Sequence, residues 1–430
     1  MYIVFTLPNF FEGEAEAITT MFQSGLLRLH LRKPDSTAEE CRLLLRALPS
    51  VYHKRIVIHD HFELLNEFDL CGIHLNSRNP KAPEGWKGHV SVSCHSIEEL
   101  EEKKKENFSY LSLSPIFDSI SKSGYCSAFT PEELHEARAK GIIDERVMAL
   151  GGICHDNAEE ALSYGFGGVM VLGDAWKKQA LPVVLTIAGS DSSAGAGIQQ
   201  DLKTITNCGC YGATVITAIT SQNTLGVQGV MPVPADVVES QMRSIFSDLR
   251  VDAVKIGMIP NSKVAQAIIN VLKEERMRSI LPIVCDPIML STSGTRLMSE
   301  DCINMVHNEL FPMCTLVTPN IPEYEYLHQK GLSISTNLLL KGGHAEGEKM
   351  TDTLHLIDEA KQLSFSTQRI KSSNLHGTGC TLSSAIASGL AQRLSLSSAV
   401  ESAKDYITRA IAGGANLKIG KGNGPLWYKE

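Results

Sequence analysis

The sequence predicts an α/β protein in two parts, a closed (β/α)8 barrel followed by an open, doubly wound α/β sheet. Short apolar runs alternate with amphipathic stretches along residues 1–176, the pattern of parallel strands joined by helices. After a short polar stretch the alternation restarts with longer helices and glycine-rich turns, which suits an open sheet better than a second barrel. The length of 430 residues allows two or three domains at roughly 150 residues each.

The first part supplies eight candidate strands, at residues 2–6, 27–31, 55–58, 71–75, 90–94, 110–114, 147–150 and 168–172. Helical periodicity lies between most of them, at 12–22, 37–48, 97–107, 130–140 and 156–164. Eight such repeats in so short a length argue for a small closed barrel. Residues 76–88, after the fourth strand, carry two prolines, two glycines and no helical period, so one barrel helix is expected to be missing. Residues 177–182 form the boundary, giving expected domains 1–176 and 183–430. In the second, the longest helical patterns are 235–248, 262–275 and 396–412.

Composition narrows the function. Hydrophobic residues make up 43% and charged residues 20% of the chain, enough apolar material for more than one core and too little charge for wholesale disorder. A net charge of -8 without long single-sign blocks argues against nucleic-acid binding. The eleven cysteines include no C-x-x-C pair, which disfavours a disulfide framework or a cysteine zinc site and suits the reducing cytoplasm. No basic leader precedes the first strand, and no apolar stretch approaches about 18 residues, so neither a signal peptide nor a membrane span is expected.

The sharpest motif is Leu375-His-Gly-Thr-Gly-Cys380, ahead of an apolar run that reads as a helix. Glycines before a helix N-terminus let backbone N–H groups close on an anion. A thiol there would have its thiolate favoured, which makes Cys380 a candidate general base. Taken alone, the motif also fits a capped helix with a buried structural cysteine. A second glycine turn, Ala188-Gly-Ser-Asp-Ser-Ser-Ala-Gly-Ala-Gly197, follows a strand and opens a helix, but it is neither a dinucleotide fingerprint nor a P-loop. Thr220-Ser-Gln222, Lys255-Ile-Gly-Met258, Val284-Cys-Asp286, Thr318-Pro-Asn320-Ile-Pro-Glu323 and Lys341-Gly-Gly-His344 are further strand ends running into polar or glycine turns. In an open α/β sheet such ends line one crevice.

Together these residues resemble the hydroxymethylpyrimidine and phosphomethylpyrimidine kinases, within the ribokinase superfamily. The resemblance implies a ribokinase-like α/β sandwich. It places a pyrimidine pocket at Gly189, Ala196, Asp201, Thr220, Gln222 and Met258, and magnesium and nucleotide groups at Asp286, Asn320 and Glu323. It also puts Lys341 beside the nucleotide phosphates, an anion hole at Gly377 and Gly379, and the base at Cys380. Two departures stand out. Ser192 and Ala194 replace the family's Pro and Gly in the first turn, and only 17 residues separate Glu323 from Lys341.

In the first part, apparent strand ends carry His30 and Arg32, His59-Asp60-His61, His74, Ser93 with His95, Ser119 with Lys122, Gly151-Gly152 and Gly173. Strand C-termini form the active face of a barrel, so these groups are expected to converge. With Pro115-Ile-Phe117 and Leu150-Gly-Gly-Ile153, they resemble the thiamine phosphate synthase and thiazole tautomerase superfamily of TIM barrels. The resemblance implies diphosphate binding by Arg32 and Lys122, a magnesium ligand in Asp60 and a pyrimidine contact in Ser93. Gly152, Leu172 and Gly173 fall at the thiazole phosphate end. The synthase's Gln-Leu-Arg-Glu-Lys stands here as His30-Leu-Arg-Lys-Pro34, its Asn-Asp pair as His59-Asp60, and its second metal carboxylate as Asn79. One cation is therefore lost or moved to Lys33. Pro115 occupies the place of the tautomerase's proton-shuttling histidine and cannot move a proton.

The expectation is a cytoplasmic, bifunctional enzyme of thiamine biosynthesis, dimeric or otherwise homo-oligomeric, using ATP and Mg2+. Its partners are small molecules, namely an aminopyrimidine, thiazole phosphate and ATP, with no nucleic acid and no membrane. Three alternatives compete: a pyridoxal kinase in the second part, a non-catalytic interaction domain in the first, or a metal hydrolase built there on His30, His59, His61 and Asp60.

Overall fold

Residues 1–118, 127–289, 297–342 and 348–428 are described by the computed structural model. The chain divides into two compact units, built mainly from Met1–Phe22 with Leu26–Lys178 and from Gln179–Lys273 with Leu281–Glu430.

The first unit runs β1 (Tyr2–Phe5), α1 (Glu14–Gln23), β2 (Arg28–Leu31), α2 (Ala38–Ala47), β3 (Ile56–Ile58), β4 (Gly72–Leu75), β5 (His89–Cys94) and α3 (Ile97–Lys103). It continues with β6 (Tyr110–Leu113), α4 (Pro131–Ala139), β7 (Val147–Leu150), α5 (Ala158–Ser163), β8 (Gly168–Val171) and α6 (Gly173–Trp176). All eight expected strands form. They pair in parallel in chain order, and β8 closes on β1 through Tyr2 opposite Val169. Helices begin where side chains satisfy the free N–H groups of the first turn. Thr37 with Glu40 and Thr130 with Glu133 make reciprocal capping boxes for α2 and α4, and Ser96 caps α3. No helix joins β4 to β5, as expected, and the β3–β4 connection shrinks to a 3-10 turn over Phe62–Asn66. Ile3, Phe5, Tyr110, Met148 and Met170 cluster as one core group of this unit, while Phe22, Leu45, Tyr52 and Leu111 belong to a larger one that takes in its helices.

The second unit runs β9 (Val183–Asp191), α7 (Gly197–Asn207), β10 (Tyr211–Asn223), β11 (Gly226–Pro232), α8 (Ala235–Phe246), β12 (Ala253–Ile256), α9 (Ser262–Arg278) and β13 (Ile283–Cys285). Then follow α10 (Glu300–Met305), β14 (Leu316–Val317), α11 (Ile321–Gln329), β15 (Leu338–Leu340), β16 (Lys349–Leu356), β17 (Lys361–Gln368), α12 (Thr378–Ala391) and α13 (Leu396–Gly414). Its nine-stranded sheet has the order β11-β10-β9-β12-β13-β14-β15-β16-β17. The strands from β10 to β15 pair in parallel, and antiparallel hairpins extend both edges. One core cluster joins the sheet to α8, α9 and α10, and another joins it to α12 and α13. The small residues of α12 allow it to be buried along nearly its whole length. Among the described residues, no helix is long and apolar enough to cross a membrane.

Candidate active sites

In the second unit the carboxyl ends of the parallel strands open into a cavity of about 1180 Å³, where ligands bind in open α/β sheets. Two glycine turns meet there. Gly377 caps α12 at φ 86°, a left-handed conformation that favours glycine. A Cβ on it would lie 1.9 Å from Gly195 O, so the two turns touch backbone to backbone. A Cβ on Gly379 would come within 2.9 Å of Asp286 Oδ2 and 3.5 Å of Lys341 Nζ, so the start of α12 lies against that ion pair. Lys341 Nζ is 2.6 Å from Asp286 Oδ1. Burial works against the lysine's charge, but Asp286 and Glu323 outweigh it and hold the ammonium protonated.

Asn320 and Glu323 cap α11 reciprocally, with Glu323 N–H donating to Asn320 Oδ1 at 2.8 Å and Asn320 N–H donating to Glu323 Oε2 at 2.9 Å. The N-x-x-E spacing is thus also a capping box. Burial pushes the Glu323 carboxyl up to about 7; Lys341 opposes the shift and Asp286 adds to it. Two buried carboxylates sharing one lysine make an oxygen donor set that fits a hard divalent cation.

At the pyrimidine end, Gly189, Ala196, Thr220, Gln222 and Met258 all line the cavity. Thr220 Oγ1 lies 3.1 Å from Gln222 Oε1, and Gln222 Nε2 lies 3.0 Å from His376 Nε2. His376 Nε2 is also 2.9 Å from Asp191 Oδ2. Asp191 in turn accepts the N–H groups of Ser193, Gly195 and Ala196, which fold the glycine turn. Burial alone would raise the Asp191 carboxyl, but His376 and Ser193 hold it below the usual range. The motif reading passed over Asp191 and His376, although both lie inside the motifs it quoted. Ala194 holds φ at 59° in that turn, a conformation that glycine adopts without steric cost.

Two expectations fail here. Asp201 does not line the cavity. It is fully buried, and it accepts hydrogen bonds from Lys255 Nζ at 2.8 Å, Thr186 Oγ1 at 2.6 Å and Ser384 Oγ at 2.9 Å. It ties β12, β9 and α12 together. The Cys380 thiol is not lowered by its helix terminus: burial pushes it up to about 11, Lys255 opposes that, and Asp201 and Asp286 reinforce it. Desolvation outweighs the helix dipole because the thiol is buried. Gly343 and His344 lie outside the described residues.

In the first unit, Arg32 follows β2, Asp60 follows β3 and Ser93 lies in β5. Asp60, expected as a magnesium ligand, instead takes a two-point ion pair from Arg78 at 3.1 and 3.0 Å and a hydrogen bond from Asn79 Nδ2 at 2.8 Å. With its lone pairs so engaged and Asn79 in place of a second carboxylate, this arrangement does not fit a magnesium site. Arg78, which the motif reading missed, lies close enough to Arg32 for its charge to be felt there. Burial lowers the Arg32 guanidinium, Arg78 adds to that, and Asp60 opposes it. Lys33 is no substitute cation: it is buried against Glu14 at 2.7 Å and donates to Asn9 O at 3.0 Å. Gly152 follows β7, and its carbonyl accepts Asn157 Nδ2 at 2.9 Å. Leu172 and Gly173 open α6, where the buried Asp174 carboxylate accepts His155 N–H at 3.1 Å. The grouping of His30, His59, His61 and Asp60 does not form, because His61 turns to Ser36 O at 2.8 Å. Lys122 and Ser119 lie outside the described residues.

Comparison with known proteins matches both units. Residues 191–427 match the family model of phosphomethylpyrimidine kinase, and residues 2–174 that of thiamine monophosphate synthase. The thiamine biosynthesis bifunctional protein ThiED of Geobacter sulfurreducens is 36% identical over 86% of this chain and 81% of its own length. The hydroxymethylpyrimidine/phosphomethylpyrimidine kinase of Rhizobium meliloti is 42% identical over 58% of this chain and 99% of its own. Among solved structures, an ADP complex of Bacillus subtilis pyridoxal kinase superposes with a TM-score of 0.52, at 28% identity, over 58% of this chain and 98% of that one. That likeness shows the scaffold shared with pyridoxal kinases, while the sequence relatives favour the pyrimidine kinase over the pyridoxal reading. The chain therefore belongs to the bifunctional thiamine biosynthesis family, joining a thiamine monophosphate synthase unit to a phosphomethylpyrimidine kinase unit.

Proposed function

We propose that the unit at 183–430 phosphorylates hydroxymethylpyrimidine and then its monophosphate with ATP and Mg2+. The unit at 1–176 then joins the diphosphate to thiazole phosphate. The observation that carries the kinase reading is a single cavity lined both by Thr220, Gln222 and Met258 and by Gly377, Gly379 and Lys341. Gln222 reads the aminopyrimidine edge by giving and taking hydrogen bonds, and Met258 offers polarizable contact to the ring. The substrate oxygen bonds to the γ-phosphorus, the bond from that phosphorus to ADP breaks, and the hydroxyl proton passes to Cys380 Sγ. With the thiol near 11, ionising it at pH 7 costs about 5 kcal/mol. That cost, with the thiol's own proton going first to solvent, already includes the help of Lys255, and a loose transition state asks for the substrate proton only late. The anion-hole N–H groups at Gly377 and Gly379 hold the transferring phosphoryl oxygens. Magnesium, held by Glu323 with Asp286, would neutralise phosphate charge.

In the barrel, the carbon–oxygen bond to the diphosphate breaks, the thiazole nitrogen bonds to the pyrimidine methylene carbon, and pyrophosphate leaves. Arg32 and Arg78 supply the charge that stabilises the leaving group. Incubating the full chain with ATP, Mg2+, hydroxymethylpyrimidine and thiazole phosphate, and identifying every product, tests both halves. Thiamine phosphate is expected. Accumulation of the pyrimidine diphosphate alone would refute the synthase reading, and absence of any phosphorylated pyrimidine would refute the kinase reading.

A further inference from the structure

We infer that His30, His59 and His74 form a binding site for a divalent transition-metal ion inside the barrel, of the zinc or cobalt class. The three imidazoles come from β2, from the residue after β3 and from β4, and barrel closure sets them side by side. One ring nitrogen of each lies within 4.8 Å of those of the other two. His30 Nδ1 is 2.8 Å from His59 Nε2, and the His59 and His74 rings stack at 4.4 Å between centroids. All three residues are at most 3% exposed. Barrel interiors are usually filled by branched aliphatic side chains, so three buried imidazoles in contact call for a chemical reason.

The surroundings match what metal-binding histidines require. His30 Nε2 bonds Tyr110 Oη, and His74 Nδ1 bonds Ser91 Oγ at 2.8 Å. Such outer partners fix ring orientation and tautomer. Burial keeps all three rings neutral, so ligation exchanges hydrogen bonds for metal bonds and need not release a proton. Moving the shared His30–His59 proton away from the facing nitrogens is a tautomer change with no net proton release. Nitrogen donors without a carboxylate select transition metals over magnesium. Three imidazoles leave one coordination position open. His74 Nε2, the nitrogen left to ligate once Nδ1 holds Ser91, bonds Ser93 Oγ at 2.8 Å, so the ion takes the place of that hydroxyl. This site is separate from Asp60, whose oxygens go to Arg78.

The test titrates metal-free full-length protein with Co2+ and Zn2+. Expected are one tightly held equivalent, visible cobalt d–d absorption of low-symmetry coordination, and a zinc X-ray absorption edge showing imidazole scatterers at about 2.0 Å. The variant His30→Gln/His59→Asn carries the residues that the synthase family has at these places. It is expected to keep the barrel's near-UV circular dichroism and lose the cobalt bands. No stoichiometric binding by the wild type, sulfur scattering at about 2.3 Å, or unchanged cobalt bands in the folded variant would each overturn the inference. If the variant does not fold, the wild-type absorption spectrum alone decides between imidazole and thiolate ligation.

Discussion

Replacing Asp201 by Asn separates a structural from a substrate-binding role for this residue. Asp201 and Lys255 are both fully buried, 2.8 Å apart, and Asp201 also accepts from Thr186 and Ser384. Removing the charge leaves the Lys255 ammonium desolvated and without its counter-ion. Breaking one side of a buried pair costs about 3–5 kcal/mol, of the same order as the loss of one or two charge-assisted hydrogen bonds at about 1.5–3 kcal/mol each. The kinase unit of Asp201→Asn should therefore lose about 3–5 kcal/mol of unfolding free energy, seen as a lower urea midpoint. Near-UV circular dichroism would follow the unfolding, and the slope of the transition should be unchanged. The double variant Asp201→Asn/Lys255→Met should recover most of the loss, because an apolar isostere no longer strands a charge. Where Asp201→Asn still folds, the pyrimidine KM should stay within about threefold of wild type, well short of the tenfold that 1.4 kcal/mol of lost binding would give. Wild-type stability with a KM raised tenfold or more would refute the structural assignment and return Asp201 to the substrate pocket.

Cys380→Ala should abolish kinase turnover while leaving pyrimidine binding, read by calorimetry, largely intact. The raised thiol value near 11 also has a sign: stability tied to the protonated thiol is fully present below the ordinary value of 9.0 and is lost as pH rises through 11. Wild type should thus lose up to about 3 kcal/mol more than Cys380→Ala between those limits, measured as the difference in urea midpoints. Arg78→Ala should raise the KM for the pyrimidine diphosphate by about 10–100-fold, the equivalent of one charged contact at about 1.5–3 kcal/mol, in steady-state synthase assays. Lys33→Met should instead destabilise the barrel by about 3–5 kcal/mol, by stranding Glu14, without moving that KM. Ala194→Gly should raise the melting temperature of the kinase unit slightly, since relief of about 1–2 kcal/mol of left-handed strain is partly offset by glycine's entropy of about 0.5–1 kcal/mol.

The eight barrel strands were legible because each is a short apolar run between turn or helix signals, and their edges fall within a residue or two of expectation. Thr37 with Glu40 and Thr130 with Glu133 marked helix starts just as directly. Asp201 was not legible: its partners Lys255 and Ser384 lie 54 and 183 residues away, and nothing in the local spacing of α7 says that it faces the sheet. Cys380 misled for a related reason. A helix terminus is visible in sequence, whereas the burial that overrides it comes from β12, β13 and α13 packing around α12. Asp60 pairs instead with Arg78, 18 residues on and beyond β4, in a segment without helical period. The histidines show the same limit. His61 is adjacent to Asp60 in the chain but points elsewhere, while His74 joins His30 and His59 only because the barrel brings β2, β3 and β4 together.

The backbone contact between Gly195 and Gly377 makes the two glycine turns one mechanical part. With Gly377 against Gly195 O and the His376 ring packed on Gly195, a displacement of the pyrimidine turn carries the start of α12 with it. Together with the hydrogen bonds of His376 to Asp191 and Gln222, that contact couples occupation of the pyrimidine pocket to the start of α12. The same tightness constrains divergence: a new substrate can be accommodated by altering Thr220, Gln222 or Met258, but not by reshaping either glycine turn unless the other is rebuilt with it.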